Sequence, residues 1–254
     1  MCLIVFAWQV HADFPLVVAA NRDEFYARPS KPAAFWPDHP QVLAGRDVAA
    51  GGTWLGITRQ GRFAALTNYR DPAQTELDRP SRGMLVADFL TGSTPPADYI
   101  AATQAFGARC NGYNLLVGDR TELWWASNVS GEARALPPGV YGVSNHLLDT
   151  AWPKVSGAKN AFEAALASLP DESAMRELLA DPRVHPDHHL PATGIPMEWE
   201  RALSAAFIHL PGYGTRTSTI VKLGRGARAR FSFDEQTWWS DGAGERRRYA
   251  LTSS

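Results

Sequence analysis

The sequence predicts a layered α+β fold in which helices cover an antiparallel sandwich. Three observations carry this. Two β-branched apolar runs open the chain, Cys2 to Trp8 and Leu16 to Ala20, parted by His11-Ala12-Asp13-Phe14-Pro15, which reads as a hairpin. Neither run alternates cleanly between apolar and polar, so both faces of the hairpin are covered. Finally, strand patterns lead, helical patterns cluster mid-chain and strand patterns return. There is no internal repeat and no long linker, so residues 1–254 are expected to form one domain with a short C-terminal extension from about 237.

After the hairpin, 26–40 carries four prolines and is expected to be an ordered surface loop, and 49–52 a flexible joint. Strands are predicted over 53–58 and 62–67, flanking Arg59-Gln60-Gly61. Helices follow over 81–90 and 96–109, with Ser81 and Pro96 as starts. Strands over 112–118, 123–126 and 140–144 lead to helices over 151–169 and 171–180, the latter capped by Asp171. The stretch 181–193 is expected to loop, 198–208 to be helical, and 215–223 and 228–233 to be strands. Arg246, Arg247 and Arg248 are expected in a solvated tail.

Composition narrows the function classes. A hydrophobic content of 45% with nine Trp suits a substantial core, and a net charge of −1 gives no basic surface for nucleic acid. No window approaches the ~18 apolar residues of a membrane span, and the N-terminus lacks the basic n-region of a signal peptide. Two cysteines make no disulfide framework, which points to a reducing, cytoplasmic setting.

Cys2 is the candidate nucleophile. A small residue at position 2 permits removal of Met1, which leaves a thiol and a free α-amine on one residue. That amine, with an ordinary pKa near 8, can act as general base for its own side chain. On its own, a Met-Cys start is more often a small buried hydrophobe. A hairpin turn centred on Ala12 and Asp13 sets Cys2 roughly opposite Asp23, so the thiol and Asn21-Arg22-Asp23-Glu24 share one end of the hairpin. Acyl transfer also needs uncharged donors for the oxyanion, and Asn21, Asn68 and Asn145 each stand at a predicted strand end. Asp23 is placed to orient the amine or thiol, and Arg216 to favour a thiolate or an anionic group. His146, beside Asn145, is a candidate cleft residue. His185, His188 and His189 fit a polar loop better than a metal site, Cys110 a buried structural thiol.

The opening MCLIVF, the tetrapeptide NRDE, and the segments GGTWLGIT, LTNYR, PMEWERALSAAFI and YGTRTST resemble the NRDE, or transport and Golgi organisation protein 2, family from Cys2 to about Leu223. That family in turn resembles the N-terminal nucleophile (Ntn) hydrolases of the choloylglycine hydrolase and acid ceramidase type. The resemblance implies a four-layer αββα sandwich with Cys2 as nucleophile. It implies roles for Asp23, preceded by Asn21, for Asn68, for Asn145 as an oxyanion residue, and for Arg216 as the late arginine. The hydrolases read Arg-Asn-x-Asp where this chain reads Ala20-Asn21-Arg22-Asp23, so Ala20 stands at the motif's arginine position and the nearest arginine is Arg22, two residues on. The activity implied is a cysteine-dependent amidohydrolase or thioesterase acting on a small acyl amide or thioester, with no cofactor required. Asn21, Arg22 and His146 fall to substrate binding. The alternative is a non-catalytic protein on the same fold that binds and traffics haem, held non-covalently because no CxxCH motif is present, or acyl-CoA and lipid.

Overall fold

The computed structural model describes residues 2–226 and 229–252. Among them, fourteen strands form two seven-stranded antiparallel sheets. The first runs in the order β10 (Gly139–Val143), β1 (Cys2–Trp8), β2 (Leu16–Phe25), β12 (Tyr213–Leu223), β13 (Arg230–Trp239) and β14 (Gly242–Thr252), with β11 (His209–Leu210) on β12. The second runs β3 (Ser30–Phe35), β4 (Val42–Asp47), β5 (Leu55–Thr58), β6 (Phe63–Asn68), β7 (Tyr113–Gly118), β8 (Leu123–Ser127) and β9 (Ala133–Ala135). Helices α1 (Gly83–Thr91) and α2 (Pro96–Gly107) cover the second sheet; α3 (Pro153–Leu166) and α4 (Ser173–Leu179) cover the first. A short α5 (Met197–Ala202) precedes β11. The layers are therefore αββα, the order that the resemblance implied.

Period-two alternation builds this stack. Every residue of β1 is buried. Ile4, Phe6 and Trp8 enter the core between the sheets with Leu16, Val18, Phe63 and Trp125. Leu3, Val5 and Ala7 point the other way, against Val155, Ala158, Phe162 and Ala165 of α3. Those four α3 residues form one helical stripe, and Pro153 opens the helix where its missing N–H costs nothing. A third apolar layer joins Leu85, Phe89 and Leu90 of α1 to Ala64, Leu66 and Leu115 of the second sheet.

Several segments differ from the sequence expectation. The loop expected over 26–40 contains β3, an edge strand whose register slips between Lys31 and Ala34. That irregularity accommodates Pro32, which has no N–H to offer a ladder. The joint at 49–52 is an ordered turn: the Asp47 carboxylate accepts from the N–H groups of Ala49 and Ala50, each at 3.0 Å. Gly52 adopts φ +34°, and a Cβ there would meet the Gly83 carbonyl at 2.5 Å, so only glycine lets this turn reach the start of α1. The helix expected over 198–208 stops at Ala202. Asp171 accepts from the Ser173 N–H (3.0 Å) just before α4. Of the strand expected over 228–233, Arg228 lies outside the described residues. The tail from 237 completes β13 and forms β14, where Arg246 and Arg248 pair with Asp234 rather than lying free in solvent.

Side chains of the first sheet also tie down β3. The Ala33 N–H donates to the Glu235 carboxylate (2.6 Å), while its carbonyl accepts from Arg247 (3.1 Å) and from the Tyr249 hydroxyl (2.9 Å). Burial pushes the Glu235 carboxyl up to about 7 from the 4.5 of an exposed glutamate. Between those values the folded chain keeps a proton that the unfolded chain has released. Its contribution is full below the unfolded value and is lost as pH rises through about 7. The Glu235→Gln variant keeps the acceptor but does not ionise. From acid to mildly alkaline pH it is expected to gain on the wild type by on the order of 3 kcal/mol in urea denaturation, and parallel pH curves would contradict this account.

Candidate active site

Cys2 stands at the first described position of β1, directly opposite Arg22 of β2. This corrects the expected pairing with Asp23 by one residue, and the difference decides which side chains meet. Cys2, Arg22 and Glu24 share the face between the sheets; Asn21 and Asp23 share the face toward α3 and α4. A cleft of about 410 Å³ opens beside this end of the hairpin, within the range of small-molecule sites. Cys2, Arg22, Asp23 and Asn68 all line it. Its walls come from the Asp47–Thr53 turn, the end of β6, the segment from Thr75 to Gly83, and Thr217 and Glu235 of the first sheet.

The remaining predicted residues lie around the cleft without lining it. Asn145 is fully buried just past β10; its Nδ2 donates to the Asn68 carbonyl (2.9 Å), and its own carbonyl accepts from the Arg70 N–H (2.8 Å). The neighbouring Ser144 hydroxyl donates to the Cys2 carbonyl at 2.8 Å. These bonds lock the starts of β1 and the segment after β6 to one another. Asn21 donates to the carbonyls of Leu179 and Ala206, both at 2.8 Å, and accepts from the Ser218 hydroxyl (2.6 Å). Arg216 sits in the bulge of β12, where its Nη1 donates to the carbonyls of Phe25 (2.9 Å), Tyr26 (3.2 Å) and Arg28 (3.2 Å). The arginine beside the thiol is instead Arg22. His146 bonds Thr150 through Nδ1 (2.8 Å) and packs against Tyr69 and Trp152. Cys110 is buried, as expected of a structural thiol.

Burial pushes the Cys2 thiol above its ordinary value, and the Arg22 guanidinium offsets part of that rise. Asp23 is likewise raised by burial, opposed chiefly by the Lys154 ammonium; Thr215 donates to its Oδ1 at 2.8 Å. Lys154 is pushed down to about 8 by burial, with Asp23 acting in the opposite direction, and donates to the Leu203 carbonyl (3.0 Å). Behind it, Arg70 and Glu200 form a buried ion pair at 2.5 Å, and Thr193 donates to the same Glu200 carboxylate.

Lys154, Arg70, Glu200, Arg82 and Glu235 were not singled out from the sequence. Lys154 carried a signal. It stands in the first turn of a helix, where a cation opposes the macrodipole, next to the apolar stripe of Val155 and Ala158. Arg70 and Glu200 fall inside LTNYR and PMEWERALSAAFI, segments that carried the resemblance with no role given to these two residues. No group of three or more His, Cys, Asp or Glu among the described residues is arranged to hold a metal ion. No described helix is long and apolar enough to cross a membrane.

The protein is thus an αββα sandwich with a cysteine at the head of an interior strand, beside an open cleft. The chain belongs to the family described as Transport and Golgi organisation 2, whose model matches residues 1–240. It is 37% identical over 245 residues to the Transport and Golgi organization protein 2 homolog of Bos taurus, covering 87% of this chain and 88% of that protein. With the Homo sapiens homolog the identity is 36% over 246 residues, with the same two coverages, and with the Drosophila melanogaster protein 30% over 249 residues, covering 87% of each. Among solved structures, the Caenorhabditis elegans N-acylethanolamine-hydrolyzing acid amidase ortholog overlaps 86% of this chain and 92% of its own at TM-score 0.49 and 14% identity. Penicillin V acylase from Agrobacterium tumefaciens overlaps 99% and 86% at TM-score 0.43 and 10% identity. Neither overlap is close enough to bear on this chain's chemistry.

The bonds of Asn21 are all internal, which yields a separation of roles. Asn21→Ala strands two carbonyls and a hydroxyl and is expected to cost roughly 2–4 kcal/mol in urea denaturation. The alkylation rate of Cys2 by iodoacetamide in the folded variant is expected to stay at the wild-type value. Unchanged stability with lost thiol reactivity would place Asn21 in the chemistry instead.

Proposed function

We propose that this protein is a cysteine-dependent amidohydrolase or thioesterase, acting on a small acyl amide or thioester and requiring no cofactor. The observation that carries this is the position of Cys2, at the head of β1 on the wall of the cleft, opposite Arg22 and beside Asn68. Met1, which lies outside the described residues, must first be removed, because a peptide nitrogen is no base.

The steps balance as follows. The Cys2 thiol passes its proton to its own α-amine, and the thiolate attacks the substrate carbonyl carbon. The Asn68 side-chain amide donates to the oxygen that gains charge. Asn145 holds the Asn68 backbone in place through the Asn68 carbonyl. As the intermediate collapses, the ammonium returns its proton to the departing amine or thiol, leaving an acyl thioester on Cys2. Water then attacks, giving a proton to the α-amine; the acid departs and the thiol is restored. Arg22 favours the thiolate against the cost of burial, Asp23 orients the ammonium, and Arg216 shapes the turn that follows Asp23 through its three carbonyl bonds.

The unpaired thiols of Cys2 and Cys110 suit a reducing cytoplasm. The alternative, acyl-CoA or lipid binding and trafficking without turnover, has in its favour the several arginines that line the cleft. Haem fits less well. Burial disfavours the thiolate that would ligate iron, and polar and charged residues outnumber apolar ones along the wall, where Trp54, Leu66, Leu77 and Pro80 are the larger apolar side chains.

Intact mass of the purified protein is the first test, and loss of one Met residue is expected. Turnover of acyl amides and thioesters is then expected to vanish in Cys2→Ala, with the fold retained by circular dichroism. In Asn68→Ala, kcat is expected to fall by roughly 10²–10³-fold with KM little changed. A fully active Cys2→Ala protein would sink the mechanism, and a retained Met1 would leave binding without turnover.

A further inference from the structure

The cleft holds more cationic side chains than its own carboxylates occupy. Arg28 pairs with Asp47 at 2.8 Å, and Arg22 lies 3.7 Å from Glu24 and 4.0 Å from Asp47. Arg79 pairs with Glu76, and Arg46 with Asp38 at 2.6 Å, outside the cleft. Arg82 is different. It immediately precedes α1 and lines the cleft, and its one hydrogen bond among the described residues is from Nη1 to the Gly112 carbonyl at 3.0 Å. No carboxylate among the described residues lies within ion-pair distance of it.

Burial works against this charge and pulls the Arg82 guanidinium below its ordinary value, while the Cys110 and Cys2 thiols and the more distant Glu24 carboxylate act in the opposite direction. A partly desolvated guanidinium with no carboxylate in ion-pair contact is costly to keep. It is also a planar fork, matched to the two oxygens of a carboxylate or phosphate. The segment that carries Arg82 is firmly placed. Asn111 accepts from the Glu76 N–H (2.9 Å) and donates to the Glu76 carbonyl (2.7 Å), and the Thr53 N–H donates to the Gly83 carbonyl (3.2 Å). The fork is therefore held in place before a ligand arrives.

We propose that Arg82 is an oxyanion seat: the molecule that presents its carbonyl to Cys2 carries a carboxylate or phosphate elsewhere, and Arg82 grips it. This deepens the hydrolase assignment and rests on Cys2 being the reacting group. It narrows the substrate class from acyl amides and thioesters at large to anionic ones. Lys31, exposed on the same cleft wall, adds a second positive charge at the mouth.

The test needs no knowledge of the natural substrate. Alkylation of Cys2 by iodoacetate, an anion, and by iodoacetamide, its neutral counterpart, is followed by peptide mapping in the wild type, Arg82→Gln and Arg82→Lys. The ratio of the iodoacetate rate to the iodoacetamide rate is expected to fall roughly tenfold in Arg82→Gln and to be largely kept in Arg82→Lys. Benzoate and phenyl phosphate are expected to slow alkylation of the wild type; the stronger protector identifies the carboxylate or the phosphate as the source. Equal ratios in all three proteins would overturn the proposal. A Cys2 inert to both reagents would sink the nucleophile assignment alone. Arg82 is then judged by thermal shift: stabilisation by benzoate or phenyl phosphate that is lost in Arg82→Gln supports the seat, and no stabilisation of the wild type overturns it.

Discussion

The site depends on one register. Cys2 pairs with Arg22, and because strand side chains alternate, that pairing assigns every residue of the opening hairpin to a layer. Slipping β1 by one against β2 would turn the thiol toward α3 and α4, off the face it shares with Arg22. The register is held over the length of the hairpin by two separate apolar sets. Ile4, Phe6 and Trp8 belong to the core between the sheets, Leu3, Val5 and Ala7 to the core under the helices. Both faces are buried, and the two sets differ in size, so trading places would force Phe6 and Trp8 into space shaped for Val5 and Ala7 and leave voids between the sheets.

The NRDE tetrapeptide is divided by the same alternation into two pairs with different work. Arg22 and Glu24 belong to the face between the sheets, where their charges border the thiol and the Asp47 turn. Asn21 and Asp23 belong to the helix-facing side, where they meet Ser218, Thr215 and the loop from 203 to 208. Buried polar groups are tolerated there because their hydrogen bonds reach carbonyls and hydroxyls on neighbouring elements. A tetrapeptide that looks like one polar cluster in sequence is thus half cleft wall and half internal brace.

Much of the architecture was legible because it rests on patterns a linear reading can count. The hairpin, the strand pair about Arg59-Gln60-Gly61, the strands near 112–118 and 123–126, and helices α1 to α4 all announce themselves through apolar runs and turn residues. What escaped depends on partners distant in sequence. β3 was hidden by Pro32, which is admissible only because the ladder slips there and Glu235, Arg247 and Tyr249 reach across from the other sheet. The last strand was hidden by its charges, neutralised by Asp234 across the β13–β14 ladder. The site followed the same rule. Cys2, Asp23 and Asn68 were recognisable from their motifs, whereas Arg82 and Lys154 became visible only when the fold showed what surrounds them. Arg216 was expected near the thiol and is instead committed to the turn after β2.

The last strand has a further consequence. β14 forms one edge of the first sheet and carries Glu245, Arg246, Arg247 and Arg248 in succession, so charge projects from both of its faces. An open edge offers its backbone groups to any passing strand, and fibrous stacking begins with such additions. The ion pairs of these four charges lie within this sheet, Arg246 and Arg248 on Asp234 and Arg247 on Glu245, so an incoming strand would have to strip water from charged groups without offering them new partners. The arginine run therefore acts as a terminator, ending the growth of the sheet at its seventh strand.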